Sequence, residues 1–215
     1  MKKKLVLPEL IAAAREFCAE KHVYSELFGV TDGKAVGTFV EHTFQARLTK
    51  RYSVRTGSSA RGIDLPSIET DIKVTSIRQP QSSCPFTSAR QKIYGLGYNL
   101  LLFVYDKQDD RRRRTAKLTF VRCALIDKSR TADYQTTRGM REILDRDGNR
   151  DDILAFLSDR NLPGDEIVHN ALADEIMKSP PVLGYLTISN ALQWRLQYRR
   201  IVTLAEDVPG IVHIV

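Results

Sequence analysis

The chain has 215 residues, enough for one domain with an elaboration and for a buried core. Its hydrophobic content of 42% and charged content of 27% are typical of a globular protein, and no apolar run approaches the roughly 18 residues of a membrane span. The net charge of +7 favours a polyanionic partner. Three widely spaced cysteines fit neither a disulfide framework nor a zinc site, so we expect a cytoplasmic protein.

The N-terminal quarter of the chain predicts two helices and a short strand. Residues 8–28 predict a helix that begins at Pro8, and residues 34–49 predict a second helix because their apolar side chains recur at helical spacing. Residues 51–56 alternate like a strand, and a glycine and two serines follow as a turn.

The middle of the chain predicts a strand, a helix and two further strands. Residues 68–76 alternate cleanly, and residues 86–97 are predicted as a helix. Residues 99–106 form a continuous apolar run, typical of a strand covered on both faces. A helix between two strands implies a right-handed crossover and a parallel pair. Residues 116–127 predict one more strand, joined through a polar tip.

After residue 130 the pattern becomes helical. Four helices are predicted, separated by glycine and proline: residues 133–146, 150–160, 165–178 and 188–202. We therefore expect an α/β domain with N-terminal helices over residues 1–129 and a helical region over residues 130–215.

The segment GIDLPSIETDIKVTS, residues 62–76, concentrates the acids of its neighbourhood. Over residues 42–105 the only acids are Asp64, Glu69 and Asp71, whereas nine basic residues lie in the same stretch. An even spread of the chain's acids would place about eight there. Carboxylates are thus depleted around a single cluster, which indicates a special role for it.

This cluster is best explained as a metal site. Asp71 and Lys73 share one face of the predicted strand, and Asp64 lies seven residues before Asp71, a distance that a short hairpin can fold back. Converging carboxylates without nearby His or Cys favour Mg²⁺ or Mn²⁺, and an adjacent ammonium suits phosphodiester hydrolysis. The alternative is a solvated, salt-bridged face of an edge strand.

The order of these elements resembles the PD-(D/E)XK nuclease superfamily and, within it, the type II restriction endonucleases. The resemblance covers roughly residues 34–126 and rests on G-I-D-L-P at 62–66, T-D-I-K at 70–73 and the segment 79–107. It implies a restriction-endonuclease-like core, in which a mixed central sheet is flanked by helices. The implied activity is Mg²⁺-dependent, sequence-specific hydrolysis of double-stranded DNA, with Mn²⁺ as a possible substitute.

The resemblance also assigns roles to individual residues. It implies that Asp64 and Asp71 bind the metal, that Lys73 works with the nucleophilic water, and that Glu41 on the preceding helix completes the site. This sequence departs from the family pattern, which has a proline directly before the first aspartate. Glu69, which shares a face with Asp71 on the predicted strand, is therefore the alternative second carboxylate.

The last predicted helix carries a polar stripe that is suited to reading bases. Its members are Ser189, Asn190, Gln193, Gln197 and Arg200, of which the last four are the candidate base contacts. Amides and arginine without carboxylates are typical of major-groove contacts, and the preceding helix would make the region resemble a helix-turn-helix. The alternative is an amphipathic helix with an ordinary polar side. Base reading would then fall to loops of the catalytic half, with Arg78 and Arg90 as candidates.

A run of four arginines, Arg111 to Arg114, lies at the tip between the last two predicted strands. Because Asp109 and Asp110 precede it, a charged hairpin tip is the commoner explanation, and a DNA contact is the alternative.

We therefore expect a restriction endonuclease, and cleavage of both strands of a symmetric site implies a homodimer. Two alternatives stay open. One is a repair or recombination nuclease that recognises DNA structure, and the other is a non-catalytic DNA-binding protein on a nuclease fold.

Overall fold

The computed structural model describes residues 2–54, 63–83, 88–189 and 195–215. The helices are α1 (Leu7–Ala19), α2 (Gly33–Arg51), α3 (Ala89–Tyr94), α4 (Tyr134–Leu144), α5 (Arg150–Asp159), α6 (Glu166–Lys178) and α7 (Arg199–Thr203). The strands are β1 (Lys3–Lys4), β2 (His22–Tyr24), β3 (Tyr52–Ser53), β4 (Thr70–Ser76), β5 (Gln81–Ser83), β6 (Asn99–Asp110), β7 (Thr115–Ile126), β8 (Thr187–Ile188), β9 (Arg195–Gln197) and β10 (Ile211–His213).

Two compact units make up the chain. The first comprises residues 1–82, 98–126 and 205–215, and the second comprises residues 83–97 and 127–204. The predicted boundary after residue 129 lies close to residue 127, where the chain passes from the first unit to the second. The sequence did not predict that residues 83–97 belong to the second unit or that residues 205–215 belong to the first. The assignment of domains stays a prediction.

A mixed sheet forms the centre of the first unit. Its strand order is β10-β7-β6-β4, with β2 also paired to β7. The pair β4 and β6 is parallel, whereas β7 is antiparallel to β6, β10 and β2. The predicted parallel pair and the mixed α/β architecture are therefore confirmed. Within the described residues β4 is an edge strand, and it carries Asp71 and Lys73.

Helices α1 and α2 contribute to the main core of this unit. Their buried side chains cluster with those of β6 and β7, and the rings of Phe17, Phe44 and Phe103 pack with centroids 5.0–5.8 Å apart. Four buried α2 positions recur at intervals of four residues, as the helical spacing predicts: Val36, Val40, Phe44 and Leu48. At Gly37 a Cβ would lie 3.1 Å from the Val74 carbonyl oxygen, so α2 approaches β4 closely.

Strands β6 and β7 form a long antiparallel hairpin. Each strand has 12 residues, and residues 111–114 make the turn. The predicted strands at 99–106 and 116–127 are confirmed, and β6 extends further than predicted because residues 107–110 also pair with β7. An irregularity between Val104 and Tyr105 shifts the register.

Helices α4, α5 and α6 confirm three of the helices predicted in the second half. Their apolar faces meet in a cluster that includes Met140, Ile153, Leu157 and Ile176. The interior also holds the buried Asp133, whose Oδ1 accepts the Thr136 backbone N–H at 2.8 Å at the start of α4.

The predicted recognition helix at 188–202 is wrong. Strands β8 and β9 pair antiparallel there, with Thr187 opposite Gln197, and only the short α7 follows. The side chains of Leu196 and Tyr198 are fully buried while Arg195 and Gln197 are part-exposed, which is the period of two of a strand. The helix-turn-helix interpretation is therefore wrong as well.

Other boundaries also differ from the predictions. The N-terminal helix ends at Ala19 instead of residue 28, because β2 pairs with β7. The predicted turn after residue 56 and the last two residues of the predicted strand lie outside the described residues, whereas Tyr52–Ser53 form β3. In the described part of the chain, no helix is long and apolar enough to span a membrane.

Candidate active site

Strand β4 brings Asp71 and Lys73 together. Two residues apart on a strand, they share a face, and the Lys73 Nζ lies 2.6 Å from the Asp71 Oδ2. The Asp71 side chain is only 4% exposed, whereas Lys73 is 22% exposed. The parallel pairing with β6 fixes both positions, with Asp71 opposite Leu100 and Lys73 opposite Leu102. The site therefore combines a buried carboxylate with a partly accessible ammonium.

Asp64 reaches β4 through a tight reversal of the chain. Leu65 and Thr70 exchange both backbone hydrogen bonds, at 2.9 and 3.2 Å, across a 3₁₀ turn at Pro66–Ile68. The Asp64 Oδ2 then accepts the backbone N–H of Ile72 at 2.8 Å. One carboxylate oxygen of Asp64 is thus held by the main chain between Asp71 and Lys73. The predicted fold-back is confirmed.

The alternative carboxylate, Glu69, occupies a different position. It is not part of β4 but precedes the strand in the left-handed backbone region, with φ 46°. Its side chain is exposed, and its carbonyl oxygen accepts the backbone N–H of Asn99. The expectation that Glu69 shares the strand face of Asp71 is wrong, so Asp64 is the acid that lies at the site.

Helix α2 supplies Glu41. This residue lies one turn after Gly37, where the helix approaches β4, and its Oε1 accepts a 3.3 Å hydrogen bond from the Gln45 Nε2. Burial raises the pKa of Glu41 to about 7, with a further contribution from the negative charge of Asp64. The nearby Lys73 ammonium opposes this rise. Glu41 therefore belongs electrostatically to the same group as the strand residues.

The site holds more negative charge than its single lysine balances. Burial raises the pKa of Asp71 to about 7, and Asp64 adds to the rise, although the Lys73 ammonium acts in the opposite direction. Three carboxylates around one ammonium leave an excess of negative charge at neutral pH. Such a group either retains protons or binds a cation.

The donor set fits Mg²⁺. The Asp71 Oδ2 is buried, and the Lys73 Nζ lies 2.6 Å from it as its ion-pair partner. No set of three or more His, Cys, Asp or Glu residues is arranged as a metal cage in the described ranges. Mg²⁺ does not need one, because it is commonly held by one or two carboxylates together with water and substrate phosphate. Asp64 and Asp71 meet that requirement.

Two of the four stripe residues predicted to read bases lie within the described structure. Asn190 and Gln193 lie outside the described residues, Gln197 is half-buried on β9, and the Arg200 guanidinium stacks on the Tyr134 ring.

The two further DNA-contact candidates differ in their surroundings. Arg78 is exposed two residues after β4, whereas Arg90 forms an ion pair with Glu175 at 2.6 Å and lies over the Tyr94 ring. None of these arrangements tests a contact with DNA, so the assignments stay predictions.

Two residues that support the site were missed in the sequence. Gln45 donates to Glu41, and its spacing of four residues on a predicted helix was the available signal. Thr75 follows Asp71 and Lys73 on the same strand face, and its hydroxyl accepts the Gln81 backbone N–H at 3.0 Å. It thereby ties down the loop that carries Arg78.

Comparisons with known proteins place the chain in a family. Residues 4–213 match the family model described as "Type II restriction enzyme NspV". The chain belongs to this family. It is 55% identical over 210 residues to the type II restriction enzyme NspV of Nostoc sp. (strain ATCC 29411 / PCC 7524), covering 97% of this chain and 96% of the relative. No solved structure matches the chain. The predicted resemblance to type II restriction endonucleases is thus confirmed.

Proposed function

We propose that the protein is a type II restriction endonuclease that hydrolyses double-stranded DNA at a specific sequence and depends on Mg²⁺. Membership of the NspV family supports the activity. The observation that carries the mechanism is the convergence of Asp64, Asp71 and Glu41 on one lysine beside a strand edge. The core is proposed to be of the PD-(D/E)XK type.

In this mechanism Asp64 and Asp71 hold the metal ion, with Mn²⁺ as a substitute. When bound, the metal polarises the scissile phosphate and lowers the pKa of a coordinated water. Asp64 keeps one oxygen on the Ile72 N–H and offers the other, so the main chain of β4 orients it. Asp71 offers its buried carboxylate, whose Oδ2 lies 2.6 Å from the Lys73 ammonium.

Lys73 acts on the attacking water and on the phosphate. Its ammonium is partly exposed and held near Asp71, so it can orient the attacking water and offset the negative charge that grows on the phosphate. Glu41 lies in the field of Asp64 and Lys73, where its carboxylate can take a proton from water, and it completes the acidic group. The hydrogen bond from Gln45 keeps its carboxylate in place.

Cleavage of both strands requires two such sites. Each chain contributes one, so we propose a homodimer whose two-fold axis coincides with that of a symmetric DNA site. We assign the activity to the cytoplasm, in keeping with the free thiols of Cys18 and Cys123.

The test is incubation of the protein with plasmid DNA in Mg²⁺, Mn²⁺, Ca²⁺ or excess EDTA. We expect discrete fragments in Mg²⁺ and Mn²⁺, binding without cleavage in Ca²⁺, and intact plasmid in EDTA. A smear in Mg²⁺ would indicate a nuclease without sequence specificity. Undiminished cleavage in EDTA would contradict the metal mechanism, and plasmid that stays intact in every metal would favour a non-catalytic DNA-binding protein.

A further inference from the structure

The tip of the β6–β7 hairpin carries two arginines that make no ion pair with any residue the structure describes. Arg111 and Arg112 are exposed at the turn, and no carboxylate of the described residues lies within ion-pair distance of either guanidinium. Free, adjacent guanidinium groups on a rigid support are suited to binding phosphate.

The two neighbouring aspartates do not neutralise this pair. Asp109 forms an ion pair with the Lys107 ammonium at 2.5 Å and accepts the Gly29 backbone N–H at 3.1 Å. Asp110 accepts the backbone N–H groups of Arg112 and Arg113 at 2.9 and 3.0 Å. Both carboxylates therefore shape the turn, and the arginine side chains point their charge to solvent.

The turn is also held firmly. Arg114 adopts the left-handed region with φ 51°, and its guanidinium lies over the Phe28 ring, 5.6 Å from the centroid. Strand β2 pairs with β7 just behind the tip, with Tyr24 opposite Ala116. A tip that is braced on both sides presents its charges at a fixed place, which lowers the entropy lost on binding.

The distance from the tip to Lys73 can be compared with the length of a DNA duplex. Lys73 pairs with Leu102 in β6, and Arg111 lies nine residues further along the chain. At roughly 3.3 Å per residue this is about 30 Å, or about nine base pairs of duplex. That length is close to one helical turn of DNA, so both places can meet the same face of one duplex.

We propose that Arg111 and Arg112 bind backbone phosphates about nine base pairs from the scissile phosphate. The inference rests on the proposed function, because the duplex must occupy the catalytic site for the tip to reach its flank. Contacts of this kind contribute affinity for any sequence and do not read bases.

The test compares two double variants that remove the same charge. The first is Arg111→Ala with Arg112→Ala, and the control is Arg15→Ala with Lys21→Ala, two exposed residues outside the tip of the hairpin. Binding is measured in Ca²⁺ to a duplex that carries the cleavage site mapped on plasmid. One duplex has flanks of more than about 12 base pairs, and the other has flanks of about four.

On the long duplex, loss of two phosphate contacts should lower the slope of log affinity against log salt by about 1.8. Between about 50 and 200 mM salt, the ratio of wild-type to variant affinity should therefore shrink about 12-fold. On the short duplex the tip variant and the wild type should bind alike. A third variant, with both arginines replaced by lysine, should keep the wild-type slope because the charge is retained.

Several outcomes would overturn the inference. They are an unchanged slope on the long duplex, an equal loss on both duplexes, or an equal loss in the control variant, which would mean that net charge alone is responsible. If wild-type protein still cuts plasmid into discrete fragments in those cases, the proposed function stands and only the role of the tip fails. If wild-type protein does not cut, the proposed function fails first.

Discussion

Replacing Asp71 with asparagine should stabilise the metal-free protein while it abolishes cleavage. Burial and the nearby Asp64 raise the pKa of Asp71 from 3.8 to about 7, although Lys73 lies beside it. An acid with a raised pKa in the folded state favours folding below its unfolded pKa, and that contribution is lost as the pH rises through the folded pKa. For Asp71 the window runs from pH 3.8 to about 7, so at pH 8 the ionised carboxylate opposes folding.

The size of the effect follows from the pKa difference. About three pKa units correspond to at most about 4 kcal/mol at pH 8. Glu41, Asp64 and Asp71 titrate as a coupled group, so one substitution removes only part of the repulsion among their carboxylates. We therefore expect a gain of about 1–3 kcal/mol in the free energy of unfolding. At pH 5 the gain should fall to less than about half, since the wild-type carboxyl is then largely protonated in the folded state.

Urea unfolding in EDTA at pH 5 and pH 8 measures this gain. The control is Asp207→Asn, which removes the same charge at an exposed position and should change stability by no more than about 0.5 kcal/mol. Added Mg²⁺ should raise the unfolding midpoint of the wild type more than that of D71N. A D71N protein less stable than wild type at pH 8, or a gain that does not vary with pH, would refute the reasoning.

Two further predictions test the lysine and the helix. Lys73→Ala should lower the cleavage rate by orders of magnitude and leave DNA affinity in Ca²⁺ nearly unchanged, because the ammonium acts mainly in the transition state; a folded variant that cuts at near the wild-type rate would mean the site is misassigned. Gly37→Ala should slow cleavage and reduce stability by about 1 kcal/mol, because its Cβ would lie 3.1 Å from the Val74 oxygen and displace the helix that carries the site glutamate. Gly33→Ala in the same helix meets nothing within 4 Å, so urea unfolding and plasmid cleavage of that variant should match the wild type.

The candidate catalytic cluster was predictable because its geometry is local. The strand period of two places Asp71 beside Lys73, and a reversal over seven residues brings back Asp64. The parallel pairing of β4 with β6 also followed from the sequence, because a buried apolar run after a crossover helix has few other partners.

The C-terminal segment was not predictable in the same way. Its apolar residues satisfy a helical period, yet long-range hydrogen bonds favour extended chain: the buried Asp133 accepts the Ile188 N–H at 2.8 Å, and the Tyr134 N–H donates to Leu186. Neither partner lies near the segment in sequence. The same reason explains β2, whose residues His22–Tyr24 extend because β7 lies beside them. The apolar spacing of a segment does not decide its secondary structure where backbone groups distant in sequence supply the hydrogen bonds.

The hydrogen bond from Ile72 to Asp64 bears on self-association as well as on catalysis. A strand at the border of a sheet presents unpaired backbone groups to which a second molecule can add a strand. Along the first half of β4 these groups are already occupied, by Leu65 at Thr70 and by the Asp64 carboxylate at Ile72. The proposed metal ligand Asp64 thus also covers a backbone donor on this edge of the sheet. A substitution at residue 64 that removes the carboxylate would leave the Ile72 N–H open to pairing with a second molecule.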